Sequence, residues 1–260
     1  RGPGPPVIAE LFAWWRIDCL PAAGRLGYRR EAAALVVRHR RLRRHWADHL
    51  ARTRAALRAS ARQAAEARDA PKRGWIMGAG LLHDVPLDDL LDCFERIDLV
   101  DVAFAPAARD AVRRYPGRVA CVMQDVTGLI ADPARDPRDA MPPLPGDAWC
   151  ASVNLLSQLP LLPCAAWLRQ GMAEPEVERR GRAIQQAHVE ALQQAAHACL
   201  IIECAQTHPP PGPADMPLLP DLPARLAASG WLQHDAWHWP LNPAGETELP
   251  EGRAMQAWSR

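Results

Sequence analysis

The feature that most constrains this fold is a series of short apolar runs, each closed by a glycine, a carboxylate or another polar residue. Trp75-Ile76-Met77 runs into Gly78-Ala79-Gly80, and Ile97-Asp98-Leu99-Val100 ends at Asp101. Arg118 to Met123 leads to Gln124-Asp125, Ala148 to Val153 leads to Asn154, and Ala198 to Ile202 ends at Glu203. Runs of this length read as buried strands. Between them lie helical patterns: one opened by Pro86 (Leu87, Leu90, Leu91, Phe94), with Asp84 or a neighbour as cap, one around Ala105–Arg114, and a long one around 176–196. Strands that alternate with helices predict a parallel sheet covered on both faces. The proline-bearing stretches 132–145 and 209–223 read as loops. The tail, with Trp231, Trp237, Trp239 and Leu241, alternates as an antiparallel hairpin would. The expected fold is α/β: an open, mostly parallel sheet with an antiparallel C-terminal hairpin, preceded by a helical segment.

That segment opens with a Gly/Pro stretch (Gly2–Pro6) and an apolar patch (Leu11, Phe12, Trp14, Trp15, Ile17) that suggests a short helix. Residues 28–68 contain no Gly or Pro, and Leu35, Leu42, Trp46, Leu50 and Leu57 form an apolar stripe. The stripe predicts a helical hairpin or one long helix. Charge marks a boundary that composition hides. The chain totals +1, but residues 1–73 hold 17 basic against 6 acidic residues (+11), and residues 74–260 hold 14 against 24 (−10). The expected organisation is a basic helical segment at 1–73 and an α/β domain at 74–260.

Seven cysteines, an odd number without a CxxC pair, argue against a disulfide framework or structural zinc and for free thiols in a reducing cytoplasm. No run of 18 apolar residues exists, so no membrane span is expected. The first residue is Arg1, not Met, which leaves room for a removed targeting segment. His45 and His49 have the i, i+4 spacing of a metal pair but lack the glutamate of a zinc-protease motif, and they are read as a helix face.

The candidate site lies where the first three strands end. Gly78 and Gly80 would let backbone approach a ligand, Asp101 would accept both hydroxyls of a ribose, and Asp125 would accept from an adenine amino group. This ordered series, with Asn154 to Leu159 after the fourth strand, resembles the class I S-adenosylmethionine-dependent methyltransferases, a Rossmann-like family, over about Gly74 to Glu203. The resemblance implies S-adenosyl-L-methionine as cofactor and an unidentified methyl acceptor. It places Gly78, Ala79 and Gly80 beside the methionine moiety, Asp101 and Val102 at the ribose, Asp125 and Val126 at the adenine, and Asn154 near the transferred methyl. The sequence departs from the family at Leu82, where a third glycine is usual, and at Trp75–Met77, which lack the acidic residue often found before the turn. Asp84 is expected either to contact the ligand's ammonium group or to cap the helix.

A nicotinamide-binding protein competes for the same glycines, but its third glycine would fall at His83 and it gives Asp125 no role. Candidate catalytic residues are His83 and Asn154; His188 and His234 are further candidates for a base. Ser157 and Gln158 form a polar cluster with Asn154. The five arginines in Arg38–Arg44 fit phosphate neutralisation or a solvated helix face docked on the acidic domain. With no aromatics interleaved, the structural reading is preferred, and a nucleic-acid partner is the alternative. Trp237 and Trp239 share a strand face and are read as packing more than as a pocket wall. The alternative to an enzyme is a binding or scaffold protein that keeps the fold without catalysis.

Overall fold

Each apolar run becomes a strand, as seen in a computed structural model that describes residues 8–209, 214–246 and 250–260; the Gly2–Pro6 stretch lies outside the described residues. The N-terminal portion comprises helix α1 (Ile8–Arg16), strand β1 (Asp18–Cys19) and helices α2 (Pro21–Leu26), α3 (Tyr28–Leu42) and α4 (Ala47–Ala65). The alternating portion follows as β2 (Arg73–Met77), α5 (Leu87–Cys93), β3 (Arg96–Asp101), β4 (Ala103–Phe104), α6 (Pro106–Arg114) and β5 (Val119–Met123). It continues as α7 (Pro137–Ala140), β6 (Ala148–Val153), α8 (Leu161–Arg169), α9 (Glu174–Gln194) and β7 (His197–Thr207). Last come β8 (Met216–Pro217), α10 (Leu222–Ala228), β9 (Leu232–Asn242) and β10 (Glu251–Ser259).

The main sheet has the order β5-β3-β2-β6-β7-β10-β9, with β8 paired to β7, and β1 pairs with β4 in a separate ribbon. The first five strands are mutually parallel. β10 runs antiparallel to both neighbours and is inserted between β7 and β9. The expected mostly parallel sheet and antiparallel hairpin are therefore present. Alternate residues of each strand point to opposite faces, which divides the core in two. Ile76, Leu99, Trp149 and Ile201 pack under α4, α5 and α6 on one face. Trp75, Met77, Val100, Cys150 and Leu200 pack under α8, α9 and α10 on the other.

The stripe in residues 28–68 resolves as a hairpin, not one helix: turns at 43–46 separate α3 from α4. Leu50, Leu57, Ala61 and Ala64 of α4 join the sheet's core, and Trp149 Nε1 donates to Ser60 Oγ at 3.0 Å. α4 is thus a layer of the α/β sandwich. Salt bridges Arg41–Glu246, Arg52–Asp235 and Arg58–Asp89, at 2.7, 3.0 and 3.3 Å, link α3 and α4 to later parts of the chain.

The differences from expectation are local. Pro160 and Pro163 hid α8, because proline is tolerated in a helix's first turn and its neighbour reads as loop. The two expected loops contain α7, β8 and the start of α10. α5 is capped by Pro86 without a side-chain hydrogen bond, so Asp84 is not its cap.

Candidate functional site

The carboxyl ends of the parallel strands open into one cleft of about 730 Å³. Parallel register explains the convergence. Met77 pairs with Val100 on one side and Ser152 on the other, so Gly78, Asp101 and Val153 come level across three strands. Gly78, Asp101, Asp125 and Asn154, from four adjacent strand ends, all border the cleft, together with His83, Asp84, Val102, Val126 and Glu203, which lies inside β7 because that strand runs on to Thr207.

The glycine turn is shaped by the protein itself. Gly78 has φ +82°, and a Cβ there would meet the Val153 carbonyl at 2.6 Å. A Cβ at Gly80 would meet Asp101 Cγ at 2.8 Å and the Ala103 carbonyl closer still. Both glycines are needed for the turn to close on its neighbouring strands, and Gly78 also borders the cleft. Gly80 and the fully buried Ala79 do not border the cleft. Leu82, where a third glycine was missed, adopts φ +54°, a left-handed conformation that glycine favours and a leucine enters at a cost.

Asp101 is held by backbone. Its Oδ2 accepts from Gly80 N–H at 3.0 Å, and its Oδ1 accepts from Val102 N–H at 2.7 Å and, at 3.3 Å, from Ala103 N–H. Burial nevertheless pushes its pKa up to about 6, against the lowering effect of those bonds. Asp125 Oδ1 accepts from the Thr127 amide and hydroxyl at 2.9 and 2.7 Å, and Oδ2 accepts from Ile130 N–H at 2.8 Å. Its carboxylate therefore organises the loop after β5, with one lone pair of Oδ2 left for a ligand. Asp84 accepts from Asn154 Nδ2 at 2.8 Å, and burial raises its pKa while Asn154 and Arg54 oppose the rise. Asn154 sits at φ +51°, and its Oδ1 is buried with no partner. Gln158 turns back to donate to the Asn154 carbonyl at 2.8 Å, and Ser157 borders the cleft.

The roof comes from the N-terminal helices, which the sequence reading did not place at the site. Tyr28, Glu31, Leu35 and Arg38 of α3 face the cleft, followed by Trp46 and then His49 of α4. Burial, with the carboxylates of Asp125 and Asp101 behind it, raises the Tyr28 pKa and keeps the phenol protonated. His49 is 1% exposed, lies flat on Trp239 at 4.0 Å, and accepts from Trp237 Nε1 at its Nδ1, 3.1 Å away. In the neutral ring the proton then sits on Nε2, 3.4 Å from Asn154 Nδ2. Burial pushes the His49 pKa down to about 3. Trp239 forms a pocket wall, the less favoured of its two expected roles, and meets Trp46 edge-on at 5.1 Å.

Of the candidate bases, only His83 reaches the cleft. Burial first, then His39, Arg54 and Arg40, lower its pKa to about 3, and its ring stacks on His39 at 3.8 Å. His188 is buried in α9 and bonded to Ser152 Oγ at 2.9 Å, and His234 bonds Ser259 between β9 and β10; neither borders the cleft. His45 is exposed and lies outside α4, so it does not share a helix face with His49. No group of three or more metal-ligating side chains occurs among the described residues.

The far end of the cleft holds Glu203, paired to Arg253 Nε at 3.1 Å, with Glu251 on the same guanidinium. The polar groups at the strand ends are thus predominantly carboxylates. α5 has only seven residues and starts nine positions after Gly78, and its first residue, Leu87, does not border the cleft. The glycine turn therefore has no helix N-terminus at which a pyrophosphate would rest.

No protein-family model and no curated protein matches the sequence. Solved structures that resemble it include the 1,6-didemethyltoxoflavin-N1-methyltransferase of Burkholderia thailandensis with bound 1,6-didemethyltoxoflavin and S-adenosylhomocysteine, at 17% identity, covering 86% of this chain and 88% of that one, TM-score 0.38. A Pyrococcus horikoshii protein assigned as an RNA methyltransferase is 11% identical over 73% and 76% of the two chains, TM-score 0.38. The glycopeptide N-methyltransferase MtfA, complexed with S-adenosylmethionine, is 12% identical over 76% and 86%, TM-score 0.33. No helix among the described residues is long and apolar enough to cross a membrane.

Proposed function

We propose that the cleft binds S-adenosylmethionine and that the chain transfers its methyl group to an acceptor held against Asn154 and the aromatic wall. The observation that carries this reading is the row of carboxylates, Asp84, Asp101 and Asp125, in a cleft where no helix starts at the glycine turn. A dinucleotide would place its pyrophosphate at the glycine turn, against those carboxylates. An adenosyl sulfonium brings hydroxyls, an ammonium and a positive sulfur, for which they are suited. Asp101 Oδ2, which accepts only from Gly80 N–H, keeps an acceptor position for a ribose hydroxyl. Asp84, half-buried and fixed by Asn154, is the acceptor for the ammonium, whose charge would oppose the upward push of burial on its pKa. Val126 packs at the adenine, and the free lone pair of Asp125 Oδ2 takes its amino group.

The cofactor supplies an already activated methyl, so the protein's task is alignment and exclusion of water. His49 and His83, both pushed down to about 3, are weak bases at neutral pH. The reading therefore favours an acceptor whose lone pair is available without prior proton removal. Calorimetric titration with S-adenosylmethionine and S-adenosylhomocysteine tests it. Binding is expected, weakened about tenfold or more by Asp101→Ala through loss of its charge-assisted bonds. Absence of heat and of any thermal shift at millimolar ligand would overturn the reading. The low basicity of the two histidines also suits a binding protein without turnover, which would bind both ligands and never consume the first.

A further inference from the structure

The arginine run at the end of α3 starts at this cleft, where Arg38 borders the cavity, and is followed by Trp46, which borders it too. Arg40, Arg43 and Arg44 are exposed and make no ion pair among the described residues, whereas Arg41 is paired to Glu246. Ion pairs thus account for Arg41, Arg52 and Arg58, and three guanidiniums remain exposed to solvent. Directly inside the rim the cleft is walled by planar rings: Trp46, His49, His83 and Trp239. Behind them stand Asp84 and Glu203. A phosphate would be repelled in that interior and held at the rim, while a neutral flat group would be accepted inside.

We propose that this rim and recess bind a single-stranded nucleic acid, with backbone phosphates on Arg40, Arg43 and Arg44 and one unstacked base entering the aromatic recess. A charged rail beside a ring-lined pocket is the arrangement that sequence-tolerant single-strand binding uses. A duplex keeps its bases stacked and so offers none to the recess. That the inserted base is the methyl acceptor rests on the adenosyl reading above; the binding itself rests on the rim and recess alone.

The test is fluorescence anisotropy with labelled 15-nucleotide RNA and DNA of mixed sequence, without any adenosyl ligand, so that its failure is separate from failure of cofactor binding. Three phosphate contacts on a single strand predict an affinity that falls about twentyfold between 50 and 200 mM salt. The double variant Arg43→Glu/Arg44→Glu should bind at least tenfold more weakly and show a shallower salt dependence, with an unchanged melting temperature. Unlabelled single strand should compete better than the same sequence as duplex, and better than phosphatidylserine vesicles. No binding at 50 mM salt, equal binding by the double variant, or equal competition by duplex or vesicles would overturn the proposal.

Discussion

Asp101 carries a cost that one substitution makes measurable. Its carboxyl is raised from the ordinary aspartate range to about 6 by burial. The folded protein therefore holds the proton more tightly than the unfolded chain. The stability tied to that proton is fully present below about pH 4 and is lost as pH rises through about 6, a total of about 3 kcal/mol at about 1.4 kcal/mol per tenfold. Asp101→Asn removes the titration. Its amide oxygen keeps one of the two main partners, Gly80 N–H or Val102 N–H, and its NH₂ faces the other, a pH-independent loss of about 1–3 kcal/mol. The variant is thus expected to be less stable than wild type near pH 4.5 and to regain about 2 kcal/mol relative to it by pH 7.5. Urea unfolding followed by tryptophan fluorescence at several pH values reads this directly. Stability curves for the two proteins that run parallel across that range would refute the reasoning. If the ribose hydroxyls bond this carboxylate, wild-type affinity for the adenosyl ligand should also fall as pH drops below about 6.

Other residues give sharper single readings. Gly80→Ala should destabilise by about 1–3 kcal/mol, because its Cβ meets the Ala103 carbonyl and Asp101; an unchanged melting temperature would contradict that packing. Asp98 is fully buried in β3 and holds Arg73 and Arg96, so Arg73→Ala, which leaves Oδ2 without its partner while Arg96 keeps Oδ1, should cost about 1–3 kcal/mol, read as a lower urea midpoint. Burial pushes the Cys150 and Cys199 thiols up to about 12, so neither should be alkylated by iodoacetamide at pH 7.5 until the protein is unfolded, as mass spectrometry of the labelled protein would show.

The strands at 75–77, 97–101 and 148–153 were legible because a buried parallel strand must be apolar on both faces and must end where a turn or a polar side chain begins. The same logic brought Gly78, Asp101, Asp125 and Asn154 to one edge. The roof was not legible. Nothing local in Tyr28, Trp46 or His49 says that α3 and α4 fold back over the strand ends, since that position depends on the turns at 43–46 and on packing with β9, nearly two hundred residues away. Trp239 is a similar case, since its ring borders a cleft only because β10 carries β9 to that side of the sheet. His45 and His49 look like a pair in sequence and part in space because the helix begins between them.

The insertion of β10 has a consequence for how the protein is made. β7 is synthesised with one edge open, and the residues along that edge, Cys199 to Ile202, are among the most buried of the finished molecule. The strand that covers them lies some fifty residues downstream, so at ordinary elongation rates the edge waits roughly 3–10 s for its partner. An apolar edge exposed for that long is a template for pairing with a neighbouring nascent chain. Yield of folded protein should then depend on how closely ribosomes follow one another along the message, a dependence that β9, on the outer edge of the same hairpin, cannot relieve because it has no direct bond to β7.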